Sequence, residues 1–193
     1  TLSWLLSLCC SLYAAYFALI TLFALKKRKH LPSAQRDNRF LVIIAARNEA
    51  KVIGQLIDSL KQQNYPPDKY QILVAPNNCT DNTRETALAH GAQIYDCQKP
   101  IRSKGDVLAE VFETCLPDGS FDGYCIFDAD NLVHPEFLNS MNRALENGHT
   151  IAQGYRDSKN PVDTAISSDY SIYYWMVNRF FNLRRYNIGL SAI

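Results

Sequence analysis

The chain has 193 residues, 47% hydrophobic and 20% charged, with a net charge of +1. That length holds one ordinary domain and a little more, and the composition excludes a disordered chain. A net charge so close to zero supplies no global field for nucleic acid, so no nucleic-acid partner is expected.

The charge is uneven. Residues 1–25, TLSWLLSLCCSLYAAYFALITLFAL, contain no Asp, Glu, Lys, Arg or His. As a helix they would extend about 37 Å, enough to cross a hydrocarbon core of roughly 30 Å with some tilt. Lys26-Lys27-Arg28-Lys29 follows at once. A secretory signal carries its positive charge before the apolar run, so this order predicts a transmembrane helix over 1–25. Residues 26–38 read as a basic flank and linker. By the positive-inside rule, residues 39–193 form a domain facing the cytosol, on a membrane-bound chain. The cysteines, Cys9, Cys10, Cys79, Cys97, Cys115 and Cys125, form no C-x-x-C pair. They predict neither a zinc site nor a disulfide framework, and most of them read as small buried hydrophobes.

Beyond the linker, Phe40 to Ala45 is a continuous apolar run of strand length, as in a buried parallel strand. Val52, Ile53, Leu56, Ile57 and Leu60 recur at helical spacing, predicting an amphipathic helix from Asn48 to about Gln63. Tyr70–Ala75 is a second strand. Thr80 or Asp81 is the expected N-cap of a helix that runs to His90 and stops at Gly91. Ala92–Cys97 is a third strand, Asp106–Cys115 a helix, and Asp122–Phe127 a fourth strand. His134–Gly148 reads as a helix with Pro135 in its first turn. Thr150–Tyr155 is a fifth short strand, and Asn160–Tyr186 a long helix rich in aromatics. Strand–helix alternation with buried-type strands predicts a mostly parallel sheet flanked by helices. Ligands of such sheets bind beyond the carboxyl ends of the strands. The loops expected there are Ala46–Glu49, Asn77–Thr80, Arg102–Gly105 and Asp128–Asn131.

The fourth strand delivers Asp128 and Asp130, one residue apart. A lone Asp at a strand end usually makes a turn. Two carboxylates on one side of an extended chain repel unless a cation bridges them. Their oxygens suit Mg2+ or Mn2+, which keep waters and take substrate phosphates, so the pair predicts a metal–diphosphate site. G-x-x-x-x-G-K-[ST] and G-x-G-x-x-G are both absent, which argues against P-loop proteins and dinucleotide dehydrogenases. Lys104 or Arg102, in IRSKGD, is the expected cation facing the diphosphate, and Gly105 permits close backbone approach. His134 precedes Pro135 at a helix start, so it reads as a surface or capping residue rather than a ligand.

The stretches VIIAARNEAKVIGQLIDSLKQQNYP, NNCTDNT, SKGDVL and FDADNLVHPEFL, in this order, resemble a family 2 glycosyltransferase of the membrane-anchored kind related to cellulose and hyaluronan synthases. The resemblance covers Phe40 to Ile193. It implies a GT-A fold, a Rossmann-like α/β sheet, and metal-dependent inverting transfer of a hexose or N-acetylhexosamine. The implied donor is a nucleotide sugar, a UDP-sugar, and the acceptor is a glycan or a lipid. It implies that Ala46, Arg47 and Glu49 hold the nucleotide and that Lys104, with Arg102, lies near the diphosphate. Asp130 would ligate the metal, and Asp128 would contact ribose or a metal-bound water. Asn77 stands where the family usually has an Asp that bonds uracil. An amide has a donor and an acceptor, so looser base selectivity is expected.

The family's E-D general base and its Q-x-x-R-W element do not occur; Asp157 and Asp163 lack an E-D context. The chain therefore reads as an incomplete, donor-binding half, inactive in transfer by itself. Two other readings stand beside this one: a nucleotide-sugar-binding scaffold without activity, and a sugar-nucleotide pyrophosphorylase. The latter would want a basic Gly-rich loop where AARNEA stands.

Overall fold

The structure, a computed structural model, describes residues 2–22 and 31–189. The Lys26–Lys29 flank lies outside the described residues. The chain divides into two compact units, Pro32–Ala152 and Thr1–Leu31 with Gln153–Ile193.

An apolar helix, α1 (Leu2–Leu22), opens the chain. At 21 residues with a mean hydropathy of 2.0 it is long and apolar enough to cross a membrane. Cys9 and Cys10 are exposed on it, Cys79, Cys97 and Cys115 are half-buried and Cys125 is buried, so fewer of the six are buried than expected.

The α/β unit runs β1 (Phe40–Ala46), α2 (Ile53–Lys61), β2 (Tyr70–Pro76), α3 (Thr83–Ala89), β3 (Gln93–Ile94), α4 (Lys104–Cys115), β4 (Gly123–Phe127) and α5 (Phe137–Glu146). The sheet is parallel throughout, in the order β3-β2-β1-β4. β1 is central, with Val42 opposite Ile72 on one side and Cys125 on the other. Its side chains alternate between two layers, as a pleated strand requires. Val42, Ile44 and Ala46 pack with Ile53, Leu56, Ile57 and Leu60 of α2 and with Leu138 of α5. Leu41 and Ile43 pack with Val107 and Val111 of α4. Helices thus cover both faces, the architecture expected of parallel strands.

Several boundaries differ from the sequence expectation. α2 begins at Ile53 rather than Asn48, because Asn48 sits in the left-handed region at φ 58. The Glu49 carbonyl then accepts from Val52 and Ile53 N–H, both at 3.0 Å, in a turn that leads into the helix. α3 starts at Thr83 with Asn82, not Thr80 or Asp81, as its N-cap and without a side-chain cap; Asp81 accepts from Thr83 N–H at 3.1 Å in the turn before it. α4 starts at Lys104, two residues early, through a capping box: Ser103 Oγ accepts from Asp106 N–H and Asp106 accepts from Ser103 N–H. β3 shrinks to two residues.

α5 begins at Phe137. Gln63 fixes its start by donating to the His134 carbonyl at 2.9 Å and accepting from Leu138 N–H at 3.0 Å. His134 Nδ1 accepts from Glu136 N–H at 3.2 Å, the capping role expected of it. Buried Asn142 ties α5 to the linker, accepting from Asn38 Nδ2 at 2.7 Å and donating to the Arg36 carbonyl at 2.8 Å.

The fifth strand, Thr150–Tyr155, does not form. These residues find no strand to pair with among the described residues, and Ile151 is 90% exposed. A strand needs a neighbour for its N–H and C=O groups. The long C-terminal helix exists in three parts: α6 (Ala165–Met176), a π turn (Val177–Asn182) and α7 (Leu183–Asn187). Its start moves to Ala165 because Thr164 and Ser167 form a capping box.

Gly123 opens β4 beneath the Phe40 ring; a Cβ there would lie 2.5 Å from Phe40 Cε1. Phe40 is 3% exposed and packs on Tyr65, so the ring has little room to yield. Gly123→Ala should destabilise the α/β unit by about 1–3 kcal/mol, and Phe40→Leu should relieve part of that loss in the double variant. Chemical unfolding of the four proteins checks this. Purely additive losses would show that the two positions do not collide.

Candidate active site

The sheet order creates the site. β2 flanks β1 on one side and β4 on the other, and the loops after β1 and β4 lead into α2 and α5, which lie on the same face of the sheet. An open cleft of about 440 Å³ lies at this point. Arg47, Glu49, Asn77, Arg102, Lys104, Asp128 and Asp130 all line it. The four loops expected at the carboxyl ends of the strands therefore converge.

Ala46 is the exception. Its side chain is 1% exposed and belongs to the core, whereas Ala45 faces the cleft. Strand alternation forces one of the two inward. Ala46 still shapes the site through its carbonyl, which accepts from Asn77 N–H at 2.9 Å, Asn77 Nδ2 at 3.2 Å and Cys79 Sγ at 3.6 Å.

A clasp of polar side chains holds the loops together. Asn48 Oδ1 accepts from Thr80 N–H at 2.8 Å and Thr80 Oγ1 at 3.3 Å. Glu49 N–H donates to Thr83 Oγ1 at 2.8 Å, and Ala50 N–H to Asp81 Oδ2 at 3.1 Å. Asn78, also left-handed at φ 47, donates through Nδ2 to the Ile101 carbonyl at 3.1 Å. The sequence reading missed Asn48, Asn78, Asp81 and Thr83 as site-building residues. The available signal was the run of Asn, Asp and Thr, residues that tolerate left-handed backbone and bond to nearby main chain.

Arg102 N–H and Ser103 N–H donate to Asp106 Oδ2 at 2.8 and 2.9 Å, which fixes the loop carrying both candidate cations. Lys104 forms an ion pair with Asp128. Asp128 is 69% exposed and Lys104 42% exposed, so the pair contributes little to stability and can exchange partners. Asp130 Oδ1 accepts from Asn131 Nδ2 at 3.1 Å, and Asn131 N–H donates to the Asp128 carbonyl at 3.1 Å.

Backbone donors shift two carboxylates. Asp106 lies below its ordinary 3.8, chiefly because Arg102 N–H and then Ser103 N–H stabilise its charge. Asp81 is lowered first by the Thr83 hydroxyl and also by the Ala50 N–H. Burial pushes the Cys125 thiol, in β4, up to about 12, so it is no nucleophile. Asp157 and Asp163 belong to the other compact unit. Asp157 accepts from Ser158 N–H and Ser171 Oγ, and Asp163 from Asn160 Nδ2, which engages both near the start of α6.

Among the described residues, no three of His, Cys, Asp and Glu gather as a complete metal cage. Two exposed carboxylates fit a hard divalent cation that takes its remaining oxygens from water and a phosphate ligand. They do not fit a structural zinc, which wants four protein ligands.

Fold and cleft together define a parallel α/β protein whose polar groups gather beyond the carboxyl ends of its strands. The chain belongs to glycosyl transferase family 2, whose description matches residues 41–192. It is 30% identical over 100 residues to a beta-monoglucosyldiacylglycerol synthase of Nostoc, covering 50% of this chain and 21% of that one. Over 55 residues it is 42% identical to a 4,4'-diaponeurosporenoate glycosyltransferase of Staphylococcus aureus, covering 28% and 14%. The chain thus spans about a fifth of the length of the first of these curated relatives. Its fold is similar to that of a mannosyltransferase from Pyrobaculum calidifontis, solved in complex with GDP-Man and Mn2+. The TM-score is 0.58 at 21% identity, covering 78% of this chain and 44% of that one.

The two lowered carboxylates make a pH prediction. A depressed folded-state pKa stabilises the loops above the ordinary carboxylate value, and that contribution disappears as pH falls through the lower, folded value. The amide resonances of Arg102 and Ser103 should therefore titrate with Asp106, and those of Ala50 and Thr83 with Asp81, at midpoints below 3.8. NMR titration of the amides measures this. Midpoints at or above 3.8 would contradict the assigned hydrogen bonds.

Proposed function

We propose that the cleft binds a UDP-sugar together with Mn2+ or Mg2+. In this reading the chain is the donor-binding part of a membrane-anchored, inverting glycosyltransferase with a glycan or lipid acceptor. One observation carries the proposal: Arg47, Arg102 and Lys104 meet Asp128 and Asp130 in a single cleft at the strand ends. Cations beside a carboxylate pair suit a diphosphate held partly by side chains and partly through a bridging metal.

Asp130 is the direct metal ligand, and Asp128 reaches ribose or a metal-bound water. Bound there, the metal supplies Lewis-acid stabilisation of the charge that builds on the leaving diphosphate. Lys104 and Arg102 take the diphosphate oxygens. They stand at the start of α4, a 12-residue helix whose first N–H groups carry partial positive charge. Arg47 and Glu49 hold the nucleoside side of the cleft. The curated relatives named for diacylglycerol and diaponeurosporenoate support a lipid among the acceptor classes. The apolar α1 supports membrane anchoring.

Asn77 is assigned to the base ring. One N–H of its Nδ2 donates to the Ala46 carbonyl at 3.2 Å, which fixes the amide orientation. The second N–H and Oδ1 remain for the base, a donor beside an acceptor, so its base selectivity is looser than that of an Asp.

Calorimetry of the chain in detergent tests the reading. UDP should bind with Mn2+ and lose that binding to a chelator. CDP should compete with UDP to within about tenfold, the equivalent of one hydrogen bond. Binding indifferent to chelator would contradict the metal assignment. Exclusion of CDP by more than about a hundredfold would contradict the loose selectivity assigned to Asn77, and a strong preference for GDP would contradict the uridine donor.

A further inference from the structure

Arg102 lies in a segment, residues 98–103, that α4 carries. Gln98 and Lys99 N–H donate to Glu110, and Arg102 and Ser103 N–H donate to Asp106. Glu110 is buried, and α4 is fixed in turn by Val107 and Val111 against Leu41 and Ile43. Ile101 packs on the same layer. On the helix side the segment is therefore tied through its N–H groups.

On the strand side it is tied differently. Among the described residues, the loop after β2 sends it one side-chain hydrogen bond, from Asn78 Nδ2 to the Ile101 carbonyl at 3.1 Å. The peptide group between Ile101 and Arg102 is thus held at both of its polar atoms. Its carbonyl accepts from Asn78, and its N–H donates to Asp106 at 2.8 Å. C=O and N–H point in opposite directions across a trans peptide, so the two anchors hold one rigid plane from opposite sides. Holding that plane restricts where the Arg102 side chain can reach.

Asn78 makes this contact from a left-handed backbone, at φ 47. Asn is among the few residues besides glycine that tolerate that region, and such a conformation persists where its surroundings hold it. Its neighbour Asn77 bonds back to the Ala46 carbonyl and lines the cleft. Adjacent residues of one loop thus serve two parts of the cleft, Asn77 the base ring and Asn78 the segment that carries Arg102. We propose that Asn78 is a positioning residue for the diphosphate. It holds Arg102 at the reach that a nucleoside diphosphate requires, acting through the peptide between Ile101 and Arg102 rather than by touching the ligand. Lys104 does not depend on it, because the Ser103–Asp106 capping box fixes the first turn of α4. This inference rests on the reading of the cleft as a UDP-sugar site, and one experiment separates the two.

The experiment is a pair of double-mutant cycles on Mn2+-dependent UDP binding, measured by calorimetry on the full chain in detergent. Asn78→Gly keeps the left-handed backbone available and removes the amide. It should weaken UDP binding about fivefold, the equivalent of one hydrogen bond. In an Arg102→Gln background the same change should cost less than about twofold, because the residue it acts through is already gone. In a Lys104→Gln background it should still cost about fivefold. Asn78→Asp, which keeps the side-chain shape but turns an acceptor toward the Ile101 carbonyl, should lose at least as much as Asn78→Gly. A merely structural role would give the same loss in all three backgrounds, and that result overturns the inference. So does a loss that vanishes as fully with Lys104→Gln as with Arg102→Gln, and so does wild-type UDP affinity in Asn78→Gly. If the wild-type chain binds no UDP with Mn2+, the reading of the cleft fails and this inference fails with it.

Discussion

Parallel pairing of β1 with strands on both sides is the constraint on which the rest depends. Every strand then ends at the same edge of the sheet, so each following loop arrives at one place. The price is that β1 has no polar face. Leu41, Val42, Ile43 and Ile44 are at most 1% exposed and need helices on both sides. α2 and α5 supply one layer and α4 the other. The same burial that stabilises the sheet therefore holds the cleft rim at a fixed register.

Above that rigid base the cleft is built from exposed, individually weak interactions. The Lys104–Asp128 pair lies in solvent, where ion pairs contribute little. Asn48, Asp81 and Asn78 spend their side chains on loop main chain, leaving Arg47, Glu49 and Arg102 free to face the cleft. This division of labour places the order in backbone hydrogen bonds and the exchangeable charges on the rim. Such a site can trade Lys104–Asp128 for contacts to an incoming anion and its cation at small cost.

The strands, the helices and most cleft residues were legible because they follow from short-range rules. Continuous apolar runs gave β1 and β2, helical spacing gave α2, and the D-x-D after β4 marked the carboxyl end of the sheet. What was not legible depended on partners distant in sequence. Asn48 was placed inside a helix because nothing in its neighbours announces a left-handed backbone; its bond to Thr80, 32 residues on, decides it. Ala46 and Ala45 are indistinguishable by residue type, and only the register of the pleat says which faces the cleft. Thr150–Tyr155 has a strand's composition but no neighbour to pair with among the described residues. The orientation of the Asn77 amide likewise requires the Ala46 carbonyl, which only the folded sheet brings near.

The central claim is that Asp130 holds a divalent cation which in turn holds the nucleoside diphosphate. The most direct measurement is Mn2+-dependent UDP binding by the wild-type chain, Asp130→Asn and Asp128→Asn. Loss of a direct ligand should cost at least the roughly 10–100-fold associated with residues that merely orient ligands. Asp130→Asn should therefore weaken binding far more than Asp128→Asn, in Mn2+ and not in chelator. Equal losses in the two variants, or undiminished Mn2+-dependent binding by Asp130→Asn, would contradict the account.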